Sequence, residues 1–343
     1  MRAGGIALDI PPAGRMLKKM QETSNRKLPA VASLAAAMVS FGVIPIFLSY
    51  FARFLDAWTV NGVRYSVGAL FWLPFLLFLE RETGPGQSPA PGRSVWRDAA
   101  VPSIINIVGQ ACFGLSVYYV KPSTIGFSLQ LSFLFTIFFG FWVLAEERRL
   151  ARSRIFWLGT AASLAGVAVM FAENLWAGDA RSLEGMAILV VTTLTWGGYA
   201  VSVRRCLAPY SARQSFGVIS IYTSLALVGL MFLWGEPGRL AEIGPGVWLN
   251  LMVSALIGIA FGHVLYYRGI HRLGPVVSSG IMLVTPFVTH LTAAIVLGER
   301  LTRLEWLGGL LVVVGGGVLV AARAKVERAA LAALRELDNH GGE

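Results

Sequence analysis

Two of the four histidines, His263 and His290, lie inside long apolar stretches of this chain, where few residues can do chemistry. An imidazole titrates near neutrality, so one held there could exchange protons; a neutral, hydrogen-bonded ring would serve packing alone. Counted at 1.5 Å per residue, the two rings lie roughly 15 Å apart in depth, and no contact between them is expected. His290 follows Pro286 by one helical turn. A proline removes one backbone hydrogen bond and frees a carbonyl, which is tolerated where the break lines a cavity or neighbours re-satisfy it. Pro45, midway along an earlier stretch, raises the same alternatives of functional and packing kink. Asn106 and Gln110 stand one turn apart on one helix face, and Gln130 lies in the next stretch. Such amides bind a polar solute or act as glue between helices, at about 0.6–2 kcal/mol each. Trp196, Tyr199 and Tyr266 could wall a cavity or simply pack. Arg64 is the one formal charge within the apolar stretches. Near the end of its helix it could snorkel to the interface, or it could meet an anionic group as a substrate or gating contact. No nucleophile–base pair, paired acids or metal cluster accompanies these residues, and neither Cys112 nor Cys206 has metal-site spacing. The apolar stretches hold no Asp or Glu, and no cofactor is implied.

The elements that must position these side chains follow from composition. The chain is 55% hydrophobic and 14% charged, against roughly 25% charged in an average soluble domain. Ten apolar stretches stand out, near 29–50, 62–79, 99–120, 122–145, 155–172, 185–203, 215–234, 247–267, 274–298 and 306–321. Most reach the roughly 17–25 residues of a spanning helix, and in hydrocarbon each must satisfy its own backbone, so all ten are expected as helices. With the N-terminus in the cytoplasm, 22 of the 29 Lys and Arg fall on the inner side and 6 on the outer. That asymmetry places both termini inside, and the net charge of +10 becomes a topology signal instead of a nucleic-acid face. The first apolar run exceeds 20 residues, longer than a signal-peptide core of roughly 7–15, and is read as an uncleaved helix.

Two segments repeat. Pro122–Glu146 aligns without a gap on Pro275–Glu299, sharing the opening proline, a hydroxyl at Ser132 or Thr285, Thr136 with Thr289, and a closing Leu-small-Glu. Trp157-Leu158-Gly159 then matches Trp306-Leu307-Gly308, and Gly166 matches Gly315. Five helices per copy, an odd number, would turn the second copy upside down relative to the first. The expected fold is an all-α polytopic membrane protein of ten transmembrane helices in two inverted five-helix repeats. The first repeat spans 29–172 and the second 185–322, joined by 173–184, with a basic arm at 1–28 and a tail at 323–343. The arm carries Arg15, Lys18, Lys19, Arg26 and Lys27 towards anionic lipid. In the tail, Val326, Ala330, Leu331, Leu334 and Leu337 share one helical face, fitting a surface helix or a frayed end.

These residues resemble the EamA-type members of the drug/metabolite transporter superfamily. The resemblance rests on Leu144-Ala145-Glu146 and Leu297-Gly298-Glu299, each before a glycine-rich closing helix. It is carried also by Thr285-Pro286, Gly315-Gly316-Gly317, the pairs Phe41-Gly42 and Trp196-Gly197, and Arg64. It covers about residues 29 to 322. Two departures stand out. Phe133 occupies the place of Pro286, so the first copy is expected to lack that mid-helix break, and the loop after Glu146 is four residues longer than its counterpart. The resemblance implies a central cavity opening alternately to each side of the inner membrane, carrying a small metabolite outward or in exchange, with amino acids among the family's solutes. Expected partners are that small-molecule substrate and membrane lipid, with a homodimer left open and no nucleic acid. Without a nucleotide-binding motif the energy must come from a gradient. Competing readings are a non-transporting scaffold or receptor, and a lipid-modifying enzyme.

Overall fold

The computed structural model describes residues 13–78, 94–143, 150, 152–176 and 179–340. The Leu144-Ala145-Glu146 motif and the loop after it therefore fall almost wholly outside the described residues. Those described form helices throughout: α1 (Ala13–Phe51), α2 (Ala57–Phe78), α3 (Val95–Ser116), α4 (Pro122–Ser128), α5 (Leu131–Val143), α6 (Arg154–Met170) and α7 (Ala172–Trp176). The second half follows with α8 (Ala180–Leu207), α9 (Ala212–Trp234), α10 (Pro245–Ser254), α11 (His263–Leu273), α12 (Pro275–Ile281), α13 (Thr285–Leu297) and α14 (Arg303–His340). Among the described residues, nine helical spans are long and apolar enough to cross a membrane. The remaining expected stretch is α6, of 17 residues, about 26 Å at 1.5 Å per residue. The amphipathic tail stretch continues α14 without interruption to His340.

Small residues set the closest helix crossing. In α6 and α14 a Cβ on Gly159 would stand 2.8 Å from the Gly315 carbonyl oxygen, and one on Gly166 would stand 2.7 Å from that of Gly308. Ascending positions on one helix meet descending positions on the other, so the two cross antiparallel. Gly159 and Gly166 are the repeat counterparts of Gly308 and Gly315, so exchanging the copies reproduces the contact. The same exchange holds elsewhere. Gly42 packs on Val288, as its counterpart Gly197 packs on Phe135, and Gly109 lies on Trp196 as Gly262 lies on Phe41. At the level of helices, α3 and α5 pack on α8 in the way α11 and α13 pack on α1.

One expectation is corrected here. The first copy does carry the mid-helix break, although it has no proline: α4 ends at Ser128 and α5 begins at Leu131, as α12 ends at Ile281 and α13 begins at Thr285. Gln130 supplies the reason. Its amide donates to the Gly126 carbonyl at 3.0 Å, occupying an acceptor that a continuous helix would give to a backbone N–H. The backbone tightens to three-residue bonds across the break, Gln130 N–H to Phe127 and Phe133 N–H to Gln130. A side-chain amide thus does in one copy what Pro286 does in the other.

The turn before α2 is clamped by Asp56. Its carboxylate accepts from the Thr59 N–H at 2.9 Å, the Thr59 hydroxyl at 2.6 Å and the Glu236 N–H at 2.9 Å, tying the start of α2 to the end of α9. Burial works to raise its pKa, but these hydrogen bonds prevail and hold it below the ordinary aspartate value. A depressed carboxylate contributes stability above its unfolded pKa of roughly 4 and loses it as pH falls through the folded value. Asp56→Ala is therefore expected to cost about 1 kcal/mol at pH 7, as losing a helix cap does. In thermal unfolding the gap to the parent chain should close as pH is taken below about 4.

Candidate functional site

Both broken helices line a cavity of about 120 Å³, to which the two halves contribute. Its lining is apolar and aromatic at Phe41, Ile44, Phe113, Trp196 and Tyr199, and carries hydroxyls at Ser132, Thr136, Ser279, Thr285 and Thr289. Repeat counterparts meet here again. The Thr136 and Ser279 hydroxyls stand 3.5 Å apart, and Tyr266 joins them through a 2.9 Å bond to Ser279. The counterparts of Thr136 and Ser279 are Thr289 and Gly126, and a Cβ on Gly126 would come within 2.9 Å of Thr289. All four of these residues lie on the cavity lining, so both matched contacts border it.

Arg64 is the one charged residue on the lining. It is 3% exposed; its Nε donates to the Ser254 hydroxyl at 3.0 Å and one terminal nitrogen reaches the Ser254 carbonyl at 3.5 Å. The snorkelling alternative is overturned: the guanidinium turns inward onto α10 instead of outward to the interface. Space for it is left by Gly258, where a Cβ would lie 2.5 Å from Ile44 and 3.4 Å from Arg64. Gly258 belongs to a widened, π-helical stretch, Ala255–Gly262, between α10 and α11. Such stretches recur at functional sites. Here the wide turn lets the Gly258 carbonyl accept from His263 Nδ1 at 2.9 Å. With Nδ1 protonated, a neutral ring keeps Nε2 as an acceptor. The imidazole stacks on Phe216 at 4.6 Å and meets Phe41 edge-on at 5.0 Å.

The sequence candidates separate into lining and support. Pro45, Arg64, Gln110, Gln130, Trp196, Tyr199, His263 and Tyr266 reach the cavity. Asn106 stands behind it, donating to Thr223 at 3.0 Å and to Tyr65 at 3.4 Å while accepting from Gln110 at 3.5 Å. It is glue between α2, α3 and α9. Pro286 is buried in the first turn of α13, and its neighbour Thr285 and the nearby Thr289 supply the lining instead.

His290 lies outside the cavity, in a polar cluster around the start of α4. Its Nδ1 and the Ser123 hydroxyl are 3.0 Å apart, and its ring meets Trp306 edge-on at 4.8 Å. In the same cluster the Ser123 N–H donates to Glu299 at 3.3 Å, and Thr124 and Lys121 reach Glu305 at 3.2 and 3.5 Å. Burial raises the Glu299 pKa above its ordinary value, and the Ser123 bonds offset only part of this. Lying one turn from Pro286 in sequence does not place a side chain on the cavity, because α13 turns His290 towards α4 and α14. Sequence reasoning also passed over Ser254, Gly258, Ser279 and Thr289. Thr289 could have been found by asking which hydroxyls recur in the aligned copies and flank the breaks, since Thr136 is its counterpart; Ser279 is matched by Gly126 and nothing local marks Ser254.

Comparison with known proteins adds three findings. A model of the EamA-like transporter family matches residues 28–172 and 183–321. An uncharacterized transporter of Clostridium kluyveri is 23% identical over 281 residues, covering 79% of this chain and 86% of its own. A solved crystal structure at 17% identity superposes with a TM-score of 0.57 over 87% of this chain and 98% of its own, which is likeness of fold alone.

Proposed function

This chain belongs to the EamA-like transporter family and is a multi-pass membrane transporter, and from that premise we propose that it moves a small polar or amphipathic metabolite across the inner membrane by alternating access. In this reading ten helices form two inverted five-helix repeats, 29–172 and 185–322, with both termini cytoplasmic. The antiparallel crossing of the repeat counterparts α6 and α14 supports the inversion. The observation that carries the reading is the cavity itself, lined by both halves and bordered by two contacts that are counterparts of each other; in this reading those two contacts are its gates. With the N-terminus inside, the Thr136–Ser279–Tyr266 contact lies towards the cytoplasm and the Gly126–Thr289 contact towards the outside. Rocking one half against the other opens one contact while the other stays shut.

Transport in this account is facilitated or exchange transport, efflux included. Proton coupling, if the solute flow uses it, falls to His263, which faces the cavity, and not to His290. Catalysis has no place in this reading, and nucleic acid is no partner. The test is a cysteine at Ser132, on the lining, probed from each side of the membrane. Alternating access makes it reachable from both; a scaffold or receptor with a fixed cavity leaves it reachable from one at most.

A further inference from the structure

A guanidinium that is 3% exposed and holds no carboxylate within ion-pair distance, among the described residues, is an unbalanced charge. A buried charge left unpaired is among the most costly arrangements a protein can hold. Arg64 has five N–H donors, and Ser254 takes two of them. Among the described residues the rest have no protein partner, and they belong to a residue on the cavity lining. Two more polar atoms of lining residues, the Thr285 hydroxyl and the Trp196 indole N–H, are buried without a partner among the described residues. From these we infer that the transported solute is a net monoanion, a carboxylate with an apolar body, whose carboxylate is received by Arg64.

The inference rests on the transport reading and narrows it to a substrate class. Its sign comes from Arg64, the lining's only charge. Its magnitude comes from balance: one fixed positive charge neutralises one carboxylate, whereas a phosphate monoester would bring nearly two negative charges into the same low-dielectric space. The lining contains no Asp or Glu to receive an ammonium group, so a zwitterion would leave its positive end uncompensated. Geometry agrees, because guanidinium and carboxylate are planar and pair by parallel hydrogen bonds. The Ser254 contacts fix the fork's orientation before the solute arrives. The apolar body of the solute then faces Phe41, Phe113 and Trp196.

Four probes that share a phenylethyl unit test this: 3-phenylpropanoate, phenylalanine, 2-phenylethylamine and 2-phenylethyl phosphate. Each is titrated at pH 7 against the purified full-length chain, with thermal stabilisation as readout, since a ligand stabilises only the state it binds. Saturable stabilisation by 3-phenylpropanoate above the other three is the expected result. Arg64→Gln should weaken it by roughly 10- to 100-fold, the size of a lost charged hydrogen bond, and Arg64→Lys by less. The wild-type ranking stands even if Arg64→Gln does not fold. Equal or better binding of phenylalanine, of the amine or of the phosphate overturns the inference, as does an Arg64→Gln variant that folds and binds the acid unchanged. No binding of any probe at millimolar concentration also overturns it. Two-sided reactivity at position 132 in the same protein would show that the transport reading survives that failure.

Discussion

Gly166→Ala is expected to destabilise the folded chain sharply, although in a helix that exchange normally stabilises. The added Cβ would sit 2.7 Å from both the Gly308 carbonyl oxygen and the Val312 nitrogen, and 2.8 Å from the Val312 side chain. Two of the three are backbone atoms, which cannot rotate away, so α6 and α14 must separate along their crossing. In a membrane, helix association depends on this kind of close van der Waals approach, because lipid is as apolar as the side chains it would replace. Overpacking of a tight site costs about 1–3 kcal/mol, and a separation that also loosens Gly159, Ser163 and Gly315 should reach the upper end. Gly317→Ala, on the partner helix α14, is the control: nothing lies within 4 Å of its Cβ position. It should be neutral or gain about 0.5–1 kcal/mol from reduced backbone freedom. Thermal unfolding in detergent reads both. Equal effects at the two positions would contradict the crossing.

The glycines of that crossing were legible in the sequence, because Trp-Leu-Gly and a second glycine seven residues later appear in both copies. Other features were not, and the reasons are physical. The break at Gln130 carries no proline; it depends on an amide that finds the Gly126 carbonyl, and a glutamine in an apolar run reads equally as glue. Arg64 was expected near the end of a stretch starting at 62, whereas α2 starts at Ala57 and sets it two turns in; nor does depth say which way a long side chain turns. Only the packing of α10 against α2, with Ser254 as acceptor and Gly258 as clearance, turns it inward. The widened turn at Ala255–Gly262 is held by His263, whose partner is a backbone carbonyl that no residue pattern announces. His290 marks the opposite failure: proximity in sequence to Pro286 suggested the cavity, and the helix face decided otherwise.

The second large effect is expected from a Thr136→Cys, Ser279→Cys pair with Cys112 and Cys206 replaced by alanine. The two hydroxyl oxygens stand 3.5 Å apart, so sulfurs in their places need only a small rotamer adjustment to reach the about 2.05 Å of a disulfide. Oxidation would lock α5 to α12 at the end of the cavity that the proposed topology turns to the cytoplasm. If that contact must open in each cycle, flux through reconstituted vesicles should fall to the level of empty vesicles and return on reduction. Unchanged flux with the disulfide formed, verified by an electrophoretic shift, would mean that this contact is not a gate. The locked protein should still bind solute from the outer face, because the Gly126–Thr289 contact remains free to part.

The account stands or falls on a cavity that opens to both sides. The most direct measurement uses Ser132→Cys in the chain lacking Cys112 and Cys206, reconstituted in one orientation. A membrane-impermeant methanethiosulfonate is then applied from one face at a time. Alternating access predicts modification from each face, with the outer-face reaction persisting when the cytoplasmic contact is cross-linked and the inner-face reaction lost. Reaction from one face alone in the unlocked protein would contradict the central claim and leave a fixed, one-sided cavity in its place.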